Sequence, residues 1–451
     1  MEIFGVNHAE GALGIALYVL VRSLVPLITS STQVNTCQGY GLGSLLFSPL
    51  SEIPAIGRNP PYSVSGFLFV ILCIPTALVN NYPGLMVLRF LLGFMASPCL
   101  ATAGASFGDI WEPPHFPFAI ALWAMVASIG PAFGPTISSY AVEALGWRFS
   151  SWELLIISGP IYLAIFCCLP ETSGPTILYY KAKRMREETG KIELMSEAEL
   201  KMKDLELGSL LWDAFIKPWE MNLKDPALLF TTLYLGLAYG IFYSFFEVST
   251  PTRCARIQAA NAFQSLPLVY PVYYGFSATS TGLIFLAVLP ACLLGFTAQW
   301  LYLKYRVLPR LSNNTFGELE DHLIPGVYAS PLIPVGLFIY AWTARASTHW
   351  IAPTIGLALV IVGIYAIAQA IFSYIPNIYP RYAASIFAAN SLARSALAFA
   401  AILFAKPMFD AIGVDGGVSL LGGLMVLCVV GIVGLWKFGL VLRKRSKFAV
   451  A

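Results

Sequence analysis

Three ionisable residues lie within or beside long apolar stretches of this 451-residue chain. Arg89 is near the start of the run 84–108, Arg394 is inside the run 383–405, and Glu247 closes a third run. A charge in the hydrocarbon region of a membrane is costly and usually functional. We therefore expect all three to be candidates for proton coupling, with Arg89 modulating a nearby carboxylate. The alternatives are an Arg89 that extends to the outer headgroups, and an Arg394 that pairs with a lipid phosphate or a backbone carbonyl.

A second charged group occurs in the short segment Ser48–Tyr62, which reads SPLSEIPAIGRNPPY. Glu52 and Arg58 flank a turn that contains Gly57, a residue that permits positive φ and close backbone approach. An acid near a helix end and a neighbouring arginine can form a charge-assisted latch that holds one conformation. The alternative is an ordinary solvated turn.

Glycine and proline repeat at a spacing of four in the segment SIGPAFGP. The repeated residues are Gly130, Pro131, Gly134 and Pro135, which share one face of a helix. Small residues allow close packing of helices in a membrane, and each proline removes a helix hydrogen bond. The pattern indicates a functional bend in this helix, and the alternative is a packing kink without a role in transport.

The elements that must position these residues are membrane helices. The chain is 57% hydrophobic and 11% charged, whereas soluble domains carry roughly 25% charged residues. Since so few charges cannot cover a solvated surface, we predict an all-α polytopic membrane protein. Eleven apolar runs long enough to span occur near 12–30, 62–80, 84–108, 118–141, 152–170, 227–247, 279–303, 326–343, 350–373, 383–405 and 416–438.

A long charged segment, 171–225, divides these runs into two groups. We expect a bundle over 1–170, a cytoplasmic linker, a second bundle over 226–441 and a cytoplasmic tail, 442–451, which contains LRKRSKF. Lys and Arg accumulate in alternate loops, and the positive-inside rule places those loops in the cytoplasm. With this orientation the amino terminus lies outside, so a first helix is expected to be missing.

The motifs together resemble the major facilitator superfamily, and within it the fungal multidrug:proton antiporters with twelve spans, of the benomyl and fluconazole resistance type. SPLSEIPAIGR is similar to the family's loop motif, LRFLLG to its fourth-helix motif and SIGPAFGP to its antiporter motif. Ser48 departs from the glycine of the general loop motif. The resemblance implies two pseudo-symmetric helical bundles, alternating access, a proton gradient as the driving force, a monomer and a multi-pass location in the plasma membrane.

Two segments have no counterpart in that family, Val21–Gln38 and Val248–Gln264. Joining Leu20 to Gly39 gives the continuous span LGIALYVLGYGLGSLLFSPLSE. Both segments begin with Val, whose codons start GT, and end with Gln, which CAG encodes. We predict that they are retained introns, and the alternative is two real insertions. Transcript reads that join Leu20 directly to Gly39 would support the first interpretation, and reads through both segments would contradict it.

The expected cavity is rich in aromatic and apolar side chains, which suit flat hydrophobic compounds. Candidate cavity residues are Phe242, Tyr243, Phe246, Gln369 and Asn390. The resemblance implies a small hydrophobic drug, fungicide or toxin as substrate, together with protons and a lipid bilayer. Any single aromatic position could instead face lipid or serve packing.

Other functions find less support in the sequence. The histidines are isolated and no HExxH motif occurs, so we expect neither an enzyme nor a metal site. No phosphate-binding GxxxxGK[ST] loop occurs, so ATP is not expected as driver and no cofactor is assigned. No long basic run with interleaved aromatics suggests nucleic acid. The open alternatives are a non-functional product of an intron-retaining gene, a non-transporting sensor, and an uptake transporter of another small molecule.

Overall fold

A computed structural model describes the chain over residues 30–446, apart from 113, 192–193, 204–215, 217–218, 247–264, 313–318 and 380–382. Helices dominate the described residues, and no strand occurs among them. Eight stretches of this part of the chain are long and apolar enough to cross a membrane. The expected all-α polytopic architecture is confirmed.

The amino-terminal half consists of helices that cover four of its expected runs. They are α1 (Ser30–Glu52), α2 (Asn59–Leu78), α3 (Tyr82–Ala96), α4 (Pro98–Ala101), α5 (Ala103–Ile110), α6 (Phe116–Leu145) and α7 (Phe149–Cys168). The expected run 84–108 is divided into α3, α4 and α5 because Pro98 starts a new short helix. Proline also occupies the first turns of α2, α3 and α6, where its missing N–H removes no helix hydrogen bond.

Helix α1 is placed by close contact with α3 through glycine. A Cβ atom on Gly39 would lie 2.1 Å from the carbonyl oxygen of Phe90, and one on Gly93 would lie 2.1 Å from that of Thr36. Such an approach of two backbones is possible only without side chains. The expected run 12–30 lies outside the described residues except for its last member, and α1 includes residues 30–38. The retained-intron interpretation stays a prediction.

The linker carries two described helices, α8 (Gly174–Thr189) and α9 (Glu197–Lys203). The hydroxyl of Ser173 accepts a hydrogen bond from the N–H of Thr176 and so caps α8. Gly190 ends the helix at a φ of 67°. The guanidinium of Arg186 pairs with the carboxylate of Glu199 at 2.7 Å and joins the two helices.

The carboxyl-terminal half contains the remaining expected runs. Its helices are α10 (Pro226–Phe246), α11 (Ser265–Tyr274), α12 (Ala278–Ile284), α13 (Val288–Tyr302), α14 (Leu308–Ser312), α15 (Ile324–Ala329), α16 (Leu332–Thr343), α17 (Ile351–Ile378) and α18 (Ala383–Arg445). Short 3-10 and π turns connect α12, α13 and α14 into one continuous span. The expected runs 383–405 and 416–438 both fall in α18, which bends at Gly413, where φ is 75°.

The two halves pack against each other along α1 and α18, and along α6 with α13 and α17. A Cβ atom on Gly41 of α1 would lie 2.8 Å from a methyl carbon of Leu392, so these helices approach closely at that point. Ala121 of α6 belongs to a buried cluster with Leu303 and Val307. The candidate site lies in the region between the two halves.

Candidate functional site

A small pocket lies between the two halves. Its lining residues come from both, namely Gly104, Ile120 and Trp123 on one side and Phe372, Phe387, Ser391 and Arg394 on the other. The ring of Phe372 contacts that of Trp123 edge-on at 5.9 Å between centroids, and that of Phe387 at 5.6 Å. The pocket is therefore walled mostly by aromatic and apolar groups and contains one guanidinium.

Arg394 is positioned by its own helix and by two rings. One terminal nitrogen donates to the hydroxyl of Ser391 at 3.0 Å. The guanidinium carbon lies 5.3 Å from the ring centroid of Tyr239 and 5.4 Å from that of Phe372. The side chain is 7% exposed, and its Nε has no hydrogen-bond partner within the described residues. Aromatic faces attract the cation, but they leave its hydrogen-bonding capacity largely unused.

The expected cavity residues of α10 lie beside the pocket rather than in its lining. Tyr239 contacts Arg394 from this helix, and the rings of Phe242 and Tyr243 pack on Tyr239 at 6.4 and 4.8 Å. Phe246 is the last residue of α10, and its side chain lies outside the described set. Phe242 and Tyr243 therefore pack against Tyr239, which contacts the guanidinium of Arg394.

The two expected amides are both fully buried. Asn390 lies one turn before Arg394, and neither polar atom of its side chain has a hydrogen-bond partner in the described part of the chain. The amide nitrogen of Gln369 donates to the carbonyl oxygen of Ile120 at 3.2 Å, while its Oε1 has no described partner. Burying an amide without its hydrogen bonds is unfavourable, so both groups have unused capacity near the pocket.

Hydrogen bonds connect α6 to the other half at two levels. The hydroxyl of Tyr365 donates to the carbonyl oxygen of Ala121 at 2.9 Å, close to the Gln369 bond. Farther along α6, the hydroxyl of Thr136 donates to the carbonyl oxygen of Gly282 at 2.8 Å. Hydrogen bonds thus join the two halves both at the level of the pocket and farther along α6, and sequence reasoning identified neither Tyr365 nor Thr136.

Arg89 lies away from the pocket, inside the amino-terminal half. It is 2% exposed, and its Nε and Nη2 atoms have no hydrogen-bond partner among the described residues. Neighbouring elements contribute a small apolar cluster that includes Cys73, Leu92 and Leu154. No described carboxylate forms an ion pair with Arg89. It is therefore a deeply buried cation rather than one that extends to the headgroups.

The other sequence candidates are placed as follows. Glu247 lies outside the described residues. Gly130 and Gly134 are both buried on α6, which continues as one helix through the repeat. The side chains of Pro131 and Pro135 are not described. Sequence reasoning did not identify Trp123 or Ser391 as lining residues, because a single tryptophan or serine in an apolar run gives no distinctive signal.

The loop after α1 forms a charged contact, but with a different acid from the expected one. The Nε of Arg58 donates to Oδ2 of Asp109 at 3.0 Å, and Nη1 donates to the hydroxyl of Ser51 at 2.9 Å. No hydrogen bond or ion pair joins Arg58 to Glu52 among the described contacts, but the charges of the two side chains still attract each other. Gly57 has a φ of 83°, the positive value that its position in the turn requires.

A second carboxylate, that of Glu171, joins this loop to the start of the linker. Its Oε1 accepts from the backbone N–H groups of Arg58, Thr172 and Ser173 at 2.9, 3.0 and 2.9 Å, and its Oε2 accepts from that of Asn59 at 3.1 Å. Because Asn59 begins α2, the carboxylate also faces the positive end of that helix. We call Glu171 and these four donors the loop clamp.

The linker's far end is held by another buried acid. Asp225 is 2% exposed, and its carboxylate accepts from the hydroxyls of Tyr379 and Ser446 and from the N–H of Ala227. Nearby, Glu320 forms an ion pair with Arg443 at 3.6 Å. The ends of α17 and α18 are thereby tied to the start of α10. We call Asp225 and its three donors the linker anchor.

These features define a helical membrane protein with two packed halves and a pocket between them. A sequence profile of the Major Facilitator Superfamily matches residues 21–402. The chain belongs to that superfamily. Since the family and the relatives described next are transporters, the expectation of a multi-pass membrane transporter rather than an enzyme is confirmed.

Several relatives are similar over almost the whole chain. The MFS-type transporter pyvG of Aspergillus violaceofuscus is 42% identical over 99% of this chain and 76% of its own length. The fluconazole resistance protein 1 of Saccharomyces cerevisiae is 33% identical over 99% and 76%. The cycloheximide resistance protein of Candida maltosa is 34% identical over 100% and 77%. The suspected kinship with fungal drug-resistance transporters is confirmed.

The fold also matches a solved structure. The human organic anion transporter MFSD10 (TETRAN) superposes with a TM-score of 0.60 over 95% of this chain and 100% of that one. The sequence identity is 16%, so the likeness concerns the fold alone. It confirms the expected major facilitator architecture.

Proposed function

We propose that this protein exports hydrophobic drugs or toxins across the plasma membrane as a monomer, in exchange for protons. The observation that carries the proposal is a pocket enclosed between the two halves and walled by Trp123, Phe372 and Phe387. Such walls suit flat, apolar compounds. The printed names of relatives at 33–34% identity refer to resistance to fluconazole and cycloheximide, which is consistent with export of such compounds.

Alternating access is supported by the small number of described hydrogen bonds that join the two halves. In the expected orientation α6 begins in the cytoplasm, so the bonds from Tyr365 and Gln369 reach α6 at the level of the pocket, where Ile120 also lines it, and the bond from Thr136 lies nearer the outer end of α6. Opening the halves at the pocket breaks the first pair, and opening them towards the outside also breaks the third bond. Each neutral hydrogen bond contributes about 0.5–1.5 kcal/mol. The free energy of substrate binding is therefore large enough to offset the loss of these bonds.

Proton coupling requires ionisable groups that respond to the moving substrate. We propose that Arg89 and Arg394, whose guanidinium groups stay protonated, modulate the group that takes up the proton, with Glu247 as a candidate carboxylate. Movement of one charge through the membrane potential supplies about 2.3 kcal/mol per 100 mV. Arg394 lies in the pocket, and Arg89 lies inside the amino-terminal half. A substitution of Arg394 therefore tests contact with the substrate, and a substitution of Arg89 tests the response of the amino-terminal half.

The test is expression in a pump-deficient yeast strain, with resistance scored on a panel that includes fluconazole and cycloheximide. Two forms are compared, the chain as given and the form that joins Leu20 to Gly39 and Glu247 to Ser265. We expect at least one form to raise resistance, and a protonophore to abolish the gain. The exposed variant Arg345→Gln serves as a control that retains resistance. Equal sensitivity of all strains to every compound would contradict the export proposal.

A further inference from the structure

The pocket contains a cation that no described acid neutralises. Of the residues that line it, Arg394 is the one with a formal charge, and an arginine keeps its proton at any physiological pH. Its hydrogen-bond partner is the neutral hydroxyl of Ser391, and its Nε has none within the described residues. The described ion pairs include no contact with Arg394. A buried charge without a partner is strongly unfavourable unless a ligand supplies one.

The surroundings of Arg394 fix the shape of a suitable ligand. Trp123 and Phe372 present rings that meet edge-on at an angle of 63° at the pocket wall, and the free space beside them is small, so a flat ring packs against them only when the halves separate at the pocket. The guanidinium is a planar fork that binds a carboxylate through two parallel hydrogen bonds. Asn390 lies four residues before Arg394 on the same helix face, and its buried amide is also without a described partner.

We infer that the pocket binds planar aromatic acids, with the acidic group at Arg394 and Ser391 and the ring against Trp123 and Phe372. The identification of this ligand as the transported substrate rests on the proposed function, whereas the binding does not. A neutral compound of the same shape leaves the cation without a partner. The site therefore discriminates by charge more than by ring size.

Binding is measured on the full-length protein in lipid nanodiscs, without a proton gradient. The probes are 2-naphthoate and its neutral isostere 2-naphthamide, which differ only in the group that meets Arg394. We expect the wild-type protein to bind the carboxylate at least tenfold more tightly than the amide. In Arg394→Gln the preference falls below twofold, while the affinity for the amide changes less than threefold.

Two further variants keep the test decisive. Arg345→Gln is the matched control, because Arg345 makes a similar contact with the ring of Trp342 at 5.3 Å but is outside the pocket. It retains the full preference. If Arg394→Gln does not elute as a monodisperse protein, Ser391→Ala, which keeps the charge, is expected to reduce the preference about threefold.

The inference would be overturned if the wild-type protein bound the two probes equally. It would also be overturned if Arg394→Gln, or Ser391→Ala where that variant is used instead, kept the wild-type preference for the carboxylate. The result is independent of the yeast assay, which measures resistance. Loss of export with a retained preference for 2-naphthoate would contradict the proposed function alone. Export of neutral drugs without that preference would contradict the inference alone.

Discussion

Replacement of Glu171 by alanine provides the most direct test of the loop clamp. The substitution removes the acceptor for two N–H groups that lie more than 110 positions earlier in the chain, those of Arg58 and Asn59. It also removes the acceptor for Thr172 and Ser173 within its own turn. A hydrogen bond to a charged group contributes about 1.5–3 kcal/mol. Since the site is only partly buried, water replaces some of this, and we expect local opening of the loop to become easier by about 2–4 kcal/mol.

Hydrogen–deuterium exchange read by mass spectrometry measures that opening directly. At 1.4 kcal/mol for each factor of ten, the amides of Arg58 and Asn59 should exchange about 30- to 700-fold faster in Glu171→Ala. Glu220→Gln is the control, because Glu220 is on the exposed surface of the same linker and pairs with Lys224 one turn away. It should leave the loop unchanged. If the peptide covering residues 53–62 exchanges within twofold of wild type in Glu171→Ala, the clamp does not stabilise the loop.

Three further outcomes follow from single contacts. Gly57→Ala places a Cβ 2.4 Å from the Glu171 carboxylate at a φ of 83°, which should lower the free energy of unfolding by roughly 2 kcal/mol. The melting temperature in detergent should therefore fall, and an unchanged melting temperature would contradict this. Asp225→Asn removes the negative charge that strengthens the hydrogen bonds from Tyr379, Ser446 and Ala227, so trypsin should cleave the basic tail faster than in wild type, and equal cleavage rates would count against the linker anchor. Arg89→Met removes a buried cation without a described partner, so the protein should stay folded by size exclusion while protonophore-sensitive resistance falls; full resistance would remove Arg89 from proton coupling.

The positions of the helices were largely predictable because each span must carry about 20 apolar residues. The expected runs 62–80 and 152–170 correspond to α2 and α7 within a few residues. Details that depend on tertiary contact were not predictable in the same way. The inclusion of residues 30–38 in α1, where Thr36 lies against Gly93 of α3, depends on packing between the two helices, which hydropathy does not encode.

The candidate site was predictable where a residue type is unusual in its setting. Arg394, in an apolar run, was identified from that contrast alone, and the structure places it in the pocket. Glu171 was not identified, although it controls the loop, because its partners Arg58 and Asn59 lie far away in the sequence. For the same reason Asp109, which forms the ion pair with Arg58, was not identified, whereas the expected Glu52 interacts with Arg58 only through the attraction of their charges.

The hydrogen bonds between the two halves are weaker than those that hold the ends of the linker, which indicates which contacts break first when the pocket opens. Between the halves, the described hydrogen bonds from Tyr365, Gln369 and Thr136 are all neutral, at about 0.5–1.5 kcal/mol each. The loop clamp and the linker anchor use carboxylates, whose hydrogen bonds contribute about 1.5–3 kcal/mol each. The loop clamp and the linker anchor each lie within one half, since Glu171 is at the start of the linker and Asp225 is at its end. In the alternating access that we propose, we therefore expect the halves to separate at the pocket and each end of the linker to move with its own half.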